Sequence, residues 1–230
     1  VPTALERLYT AYCIALFTVL SLITLTLNLF VPGLRARRRI AGIFSRAFLR
    51  GARIPLDVRH LERLPTTPCV VVANHASYID GIIAVAALPP DFAFVIKKEM
   101  VRVPLAGLLL RRLGSEFVER ANRHKSAADT RRVLRLAATG QSLVFFPEGT
   151  FDERRRIGRF MGGAFAIADR SGMPVVAVAV HGTREVLPPG GMMIYRRPIR
   201  VEILSVLGAA GARERSRELI AAAVGEPLAP

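Results

Sequence analysis

The sequence predicts an α/β fold: a layered domain with a buried mixed sheet flanked by helices, preceded by an N-terminal hydrophobic membrane helix and a basic amphipathic helix. Three observations predict it. No charged residue occurs from Leu8 to Leu34, a run too long for an ordinary buried helix. After Pro55 the chain alternates short Val- and Ile-rich segments with stretches of helical periodicity. The apolar segments lack strict polar alternation, so they read as strands covered on both faces.

The N-terminal run holds neither Gly nor Pro from Tyr9 to Val31. About 22 helical residues rise roughly 33 Å, against about 30 Å of bilayer hydrocarbon. A signal peptide fits less well, because Arg35, Arg37, Arg38 and Arg39 come next instead of a small-residue cleavage site. That basic cluster predicts a cytoplasmic setting for the rest of the chain, at the inner face of the cell membrane. Thr18, Ser21, Thr24 and Asn28 leave two arrangements open, a helix that spans and one that lies in a single leaflet.

Ile40, Ile43, Phe44, Ala47 and Phe48 then recur at three-and-four spacing, with Arg38, Arg39, Arg46 and Arg50 around them. This pattern predicts a basic amphipathic helix in the headgroup plane; the competing expectation is a helix packed on the domain core. The organisation expected is therefore an anchor over 1–34, an interfacial helix over 35–54 and a domain over 55–230. Because the chain begins at Val1 and not Met, it reads as a piece of a longer one.

Within the domain, strands are expected at Cys69–Ala73, Phe92–Ile96, Glu116–Val118, Ser142–Phe146, Val175–Val180 and Ile199–Leu204. Helices are expected at about Ile79–Leu88, Pro104–Leu113, Lys125–Ala138, Phe160–Ser171 and Glu214–Ala223. The Pro104–Leu110 stretch reads as core or as the wall of an apolar tunnel. Pro188 to Gly191 reads as an exposed loop.

Charge narrows the partners. The 33 basic residues against 18 acidic ones give a net charge of +15, and only Lys97, Lys98 and Lys125 are lysines. An arginine-rich surface attracts polyanions: nucleic acid, anionic lipid or a phosphorylated carrier. Cys13 and Cys69 sit in apolar runs with no spaced motif, which suits small buried hydrophobes in a reduced compartment.

Two strand ends carry the polar chemistry. The first expected strand runs into Asn74-His75-Ala76-Ser77-Tyr78-Ile79-Asp80. His75 then falls in the turn and Asp80 on the first turn of the next helix, so the carboxylate can accept from one ring nitrogen and leave the other as a base. The helix amino terminus disfavours imidazolium. A second strand ends in Phe146-Pro147-Glu148-Gly149-Thr150, where glycine permits a tight turn with its amides facing a ligand.

Taken together, these segments resemble the glycerolipid acyltransferases, the family of the bacterial lysophosphatidic acid acyltransferase. Its Asn-His-x-x-x-x-Asp motif is matched at Asn74, His75 and Asp80, and its Gly-x-x-Phe-(Ile/Val)-x-Arg pattern at Gly114, Phe117, Val118 and Arg120. Its Phe-Pro-Glu-Gly-Thr motif is matched at Phe146 to Thr150, and its proline-led apolar strand by Pro174 to Ala179, with Ala177 at the usual second proline. The resemblance implies a membrane-bound O-acyltransferase in which His75 is the general base, Asp80 orients it and no acyl-enzyme forms. It implies that Arg120 binds the acceptor phosphate and Glu148 and Gly149 shape the acceptor site. Substrate-binding roles are implied for Asn74, Ser77, Gly114, Phe117, Pro147, Thr150 and Pro174 as well. The implied partners are the bilayer, a lysophospholipid acceptor, foremost 1-acylglycerol-3-phosphate, and a donor that is either acyl-coenzyme A or acyl carrier protein; no metal, organic cofactor or nucleic acid is implied.

One position departs from the pattern. Many family members follow Glu-Gly-Thr with arginine, whereas this chain has Phe151. Losing one charge-assisted phosphate contact costs about 1.5–3 kcal/mol, so either a neighbour among Arg154, Arg155 and Arg156 substitutes or the headgroup is not a simple phosphomonoester. Competing classes are weaker. A nucleic-acid module does not account for the apolar N-terminus, and a metal hydrolase would need His75, Asp80, His124 and His181, which have no ligand spacing. A lysophospholipase or thioesterase is the nearest rival, because a histidine base activates water as readily as a lipid hydroxyl.

Overall fold

A computed structural model describes residues 2–119, 123–151 and 153–229, with the backbone alone described over 123–127. Helix α1 (Ala4–Phe30) starts at Thr3, whose hydroxyl accepts from the Glu6 amide while the Glu6 carboxylate accepts from the Thr3 amide. Pro32 and Gly33 stop it, and α2 (Leu34–Gly51) comes next. The domain then runs β1 (Leu56–Arg59), β2 (Val70–Ala73), α3 (Asp80–Ala87), β3 (Phe92–Lys97), α4 (Ala106–Arg112) and β4 (Glu116–Val118). It continues with α5 (Arg123–Ala138), β5 (Ser142–Phe145), α6 (Gly163–Ser171), β6 (Val175–His181), α7 (Thr183–Val186), β7 (Ile199–Leu207) and α8 (Ala212–Val224).

The strands form one seven-stranded sheet in the order β1-β7-β6-β2-β5-β3-β4. All neighbours are parallel except β6 and β7, so the sheet is mixed, as the sequence predicts. Side chains alternate across it. Val71, Ala73, Val176, Val178 and Ile203 pack with Phe48, Leu49 and Ile83 of α2 and α3 on one face. Val70, Val72, Leu143, Val175 and Ala177 pack with Val133, Ile167, Ala168 and Ile220 of α5, α6 and α8 on the other. β2 is buried at every position, which places its carboxyl end mid-sheet. Cys13 and Cys69 are free and buried in the first of these layers.

Three expectations need correction. β1 goes unread in the sequence because it is an edge strand with Asp57 and Arg59 on its solvent side, a half-polar pattern too short to stand out. The buried stripe of α2 is Arg38, Ala41, Gly42, Phe48 and Leu49, turned well away from the predicted one with Phe48 shared by both, and Ile43 is 51% exposed. The rotation arises because α2 lies between α1 and α3, which both press on that stripe. Pro104–Leu110 lies mostly outside the core: Leu105 and Leu108 are exposed, and Gly107 alone of the stretch is buried.

Helix α1 is the one described helix long and apolar enough to cross a membrane. It does not stand away from the domain. The Tyr9 hydroxyl donates to Ala52 O at 2.7 Å, the Ile194 amide donates to Thr10 Oγ1 at 3.1 Å, and Cys13 enters the core. At the other end Arg112 donates to the carbonyls of Asn28 and Leu29, both at 2.7 Å, satisfying orphan groups of the last turn. The opposite face, with Leu8, Ile14, Val19, Leu22 and Phe30, is exposed.

Candidate active site

The site forms where β2 gives way to α3. Asn74 extends the ladder beyond the strand: its Nδ2 donates to Val180 O at 2.9 Å and its Oδ1 accepts from the Val180 amide at 2.8 Å. With the end of β2 clamped to β6, His75 leaves the sheet at its carboxyl edge, where open α/β sheets hold their ligands.

Asp80 gathers three donors on one oxygen. Its Oδ2 lies 2.7 Å from His75 Nδ1 and accepts from the amides of Ala76 at 2.7 Å and Ser77 at 2.8 Å. The carboxylate is fully buried, whereas the imidazole is 22% exposed. The two amides hold the carboxylate in place, so the ring is oriented by a fixed group, and Nε2 is the nitrogen left for a substrate proton.

Glu148 fixes the backbone beneath. Its Oε1 accepts from the His75 amide at 2.8 Å and its Oε2 from the Gly158 amide at 2.7 Å. Burial pushes its pKa up, opposed by those two amides. Glu148 therefore ties the histidine turn to the segment after β5, a positioning role made possible by the turn at Gly149, whose φ is +77°. The Pro147 carbonyl accepts from the Met161 amide at 2.8 Å, and Thr150 is exposed at the rim. Ser77 is fully buried, and its hydroxyl donates to Leu187 O at 2.7 Å, pinning the loop that leads to Pro188–Gly191.

Aromatic rings enclose the imidazole. Phe146 stacks on it at a centroid distance of 4.8 Å, Phe151 meets it edge-on at 4.5 Å, and Tyr78, 68% exposed, meets Phe151 at 4.8 Å. Sequence reasoning misses this wall: Phe151 signals it as a departure from arginine, and Tyr78 carries no signal of its own. Behind Phe146 and Pro147, Val133, Phe145, Ala164 and Ile167 help to line a cavity of about 270 Å³ between α5 and α6.

Not every predicted residue joins this cluster. Gly114 caps α4 at the amino end of β4, where an added Cβ would meet Leu34 and Arg38. Pro174 accepts from the Val70 amide at the amino end of β6. Both lie at the opposite end of the parallel strands from His75. Phe117 sits in edge strand β4, its carbonyl accepting from Arg132 at 2.8 Å. Arg120 lies outside the described residues. So does the His124 side chain; among the described residues no group of three or more His, Cys, Asp or Glu side chains converges as a metal site.

A histidine braced by a buried carboxylate stands at the carboxyl edge of a mixed α/β sheet, an arrangement chemically able to accept a proton. Residues 55–181, over half of the chain, match the family described as Acyltransferase, and the chain belongs to that family. Among its relatives, a chloroplastic 1-acyl-sn-glycerol-3-phosphate acyltransferase of Brassica napus is 35% identical over 136 residues, 58% of this chain and 39% of that protein. A lyso-ornithine lipid O-acyltransferase of Pseudomonas aeruginosa is 34% identical over 137 residues, 60% of this chain and 52% of that protein. The chain thus spans between two-fifths and about half of the length of these two relatives. In fold it is similar to the crystal structure of the 1-acyl-sn-glycerophosphate acyltransferase PlsC of Thermotoga maritima, with a TM-score of 0.81 at 22% identity over 96% of this chain and 95% of that one.

Proposed function

We propose that this chain is a membrane-bound O-acyltransferase that moves a fatty acyl group from a thioester, acyl-coenzyme A or acyl carrier protein, to the free hydroxyl of a lysolipid. The observation that carries the proposal is the 2.7 Å contact between His75 Nδ1 and the buried Asp80 carboxylate, which dedicates Nε2 to the acceptor hydroxyl. The hydroxyl proton passes to Nε2 as its oxygen bonds to the thioester carbonyl carbon. The tetrahedral intermediate then collapses, breaking the C–S bond, and the departing thiolate takes the proton back from the imidazolium. Ester and free thiol result, with no covalent enzyme intermediate. The cavity behind Phe146 offers an acyl chain apolar contacts at Val133, Phe145, Ala164 and Ile167, with Glu119, Asp129 and Thr130 on its polar side.

The leading acceptor is 1-acylglycerol-3-phosphate, giving phosphatidic acid. A second acceptor class is favoured by Phe151, which puts an aromatic ring at the mouth where a second guanidinium would hold a phosphomonoester. A lysolipid with a different headgroup, such as the lyso-ornithine lipid in the name of the Pseudomonas relative, suits that mouth. In either case α1 lies in one leaflet, held flat on the domain at Thr10 and Arg112, with its outer face and Val103, Leu105 and Leu108 in the lipid at the cytoplasmic surface.

The test offers labelled oleoyl-coenzyme A, and separately oleoyl acyl carrier protein, to the protein in liposomes with lysophosphatidic acid, lysophosphatidylcholine, lysophosphatidylethanolamine or a lyso-aminolipid, beside His75→Ala. A diacyl product that disappears in the variant supports transfer, and the winning headgroup identifies the acceptor. Free fatty acid alone, whatever the acceptor, replaces the transferase with a lysophospholipase or thioesterase.

A further inference from the structure

On the far side of α3 from its first residue, Asp80, a groove of about 310 Å³ runs between α2, the second half of α3 and the start of β3. Its walls are apolar: Ile43, Val85, Leu88, Phe92, Phe94 and Leu113. Small residues open it. Ala41 and Gly42 face α3, and a Cβ on Gly42 would come within 3.2 Å of Val85 O. Three arginines of one α2 stripe, Arg38, Arg39 and Arg46, line the same groove, and no acidic residue does.

Their charge is not balanced inside it. Arg38 is 8% exposed and donates to Leu113 O at 2.9 Å, Gly114 O at 3.5 Å and Gln141 Oε1 at 2.8 Å, all neutral oxygens. Arg46 donates to Ala86 O at 2.8 Å, also neutral. Asp91, whose field reaches Arg38, is engaged by Arg35 at 3.0 Å on the exposed rim. Burial lowers the Arg38 pKa to about 10, with the Asp91 charge acting in the opposite direction. Buried guanidinium ions are ordinarily matched by an anion, and an apolar trough beside them is matched by hydrocarbon. The groove opens beside Ile43, on the helix next to α1 and its exposed apolar face.

We propose that this groove holds a membrane phospholipid with an anionic headgroup, its phosphate in the field of Arg39 and Arg46, backed by Arg38, and an acyl chain along Ile43, Val85, Leu88 and Phe94. The bound lipid is a structural ligand separate from the acceptor, since the groove lies at the amino end of β3 and His75 at the carboxyl edge of the sheet. It holds the α2–α3 seam to the bilayer. Its binding does not depend on acyl transfer.

The test uses the full chain as His75→Ala, so that turnover does not enter. The protein is taken into neutral detergent micelles carrying equal phosphatidylcholine and phosphatidylglycerol, and the lipid retained per chain is read by native mass spectrometry. Phosphatidylglycerol is expected to be retained in preference, and Arg39→Gln with Arg46→Gln to cut its retention by about tenfold. Val85→Phe, which narrows the trough without changing charge, is expected to cut it as well. Arg131→Gln with Arg135→Gln, which removes the same charge from the exposed side of α5, is expected to leave it unchanged. The exposed Arg39 serves alone, as Arg39→Glu, if the double variant does not fold. Equal retention in all variants overturns the site. Equal loss in both charge doubles overturns it too, since net charge then suffices. Displacement of phosphatidylglycerol by equimolar oleate also overturns the proposal, by making the occupant a fatty acid.

Discussion

The Phe151 ring meets the His75 imidazole edge-on at 4.5 Å and Tyr78 at 4.8 Å, so the imidazole lies beneath an aromatic roof. Such a roof offers no bidentate donor to a phosphomonoester, but it does offer a face to a headgroup carrying an ammonium or an amide. Phe151→Arg should therefore shift acceptor preference. A restored charge-assisted contact is worth about 1.5–3 kcal/mol, so kcat/KM for lysophosphatidic acid relative to a lyso-aminolipid should rise about ten- to a hundredfold. Competition between the two acceptors in one liposome preparation measures the ratio, and an unchanged ratio removes Phe151 from acceptor choice.

Asp80→Asn keeps the size of the side chain and removes the charge. One oxygen now receives the Nδ1 contact and two amides, and an amide in its place offers a donor to one of those partners. The ring loses its tautomer and its support for the imidazolium, which costs a histidine base about 10²–10⁴ in kcat. Acceptor KM should change little. Thermal melting of the variant separates this from unfolding: a fall in kcat with a near-normal melting point assigns Asp80 to the reaction, while equal loss of both assigns it to the fold.

Much of this arrangement is legible in the sequence because it depends on local spacing. His75 and Asp80 are five residues apart across one strand–helix turn, and turn geometry alone brings them together. The central strands stand out because they are apolar on both faces. What sequence does not disclose is set at a distance. Glu148 reaches His75 across 73 residues, and its clamp on two amides depends on the parallel pairing of β2 and β5. Gly114 and Pro174 belong to family patterns, yet sheet polarity places them at the strand ends away from His75, where they cap α4 and set the β2–β6 register. The buried stripe of α2 escapes periodicity because two neighbours, α1 and α3, decide which side of this basic helix is inside.

The Glu148 clamp predicts a pH dependence of stability. Burial raises its pKa in the folded chain, so folding favours the protonated form. Its contribution is fully present below the unfolded carboxylate pKa and is lost as pH rises through the folded value. Glu148→Gln removes that titration and also one of two amide acceptors. The stability of the parent relative to the variant should therefore decline as pH rises from the ordinary carboxylate range to the raised pKa, then level off. Denaturant unfolding at a series of pH values reads this directly; a difference that grows with pH contradicts it.

The outer face of α1 predicts a separation between membrane affinity and fold. Val19 and Leu22 are 54% and 43% exposed and touch solvent in the absence of lipid, while Cys13, Leu25 and Asn28 carry the packing against the domain. Burying one such aliphatic side chain in hydrocarbon is worth about 1.5–3 kcal/mol. Val19→Asp or Leu22→Asp should lower partitioning into neutral liposomes by at least about tenfold and leave the melting point in detergent within a degree or two. Replacing Asn28 or Arg112 should do the reverse, since the Asn28 side chain is buried and donates to Thr24 O, and the Arg112 guanidinium satisfies the carbonyls of Asn28 and Leu29 in the last turn. Flotation on a density gradient beside thermal melting distinguishes the two sets. If the exposed-face variants melt early, α1 is packed on both sides, and its lipid face must be sought on Val103, Leu105 and Leu108 instead.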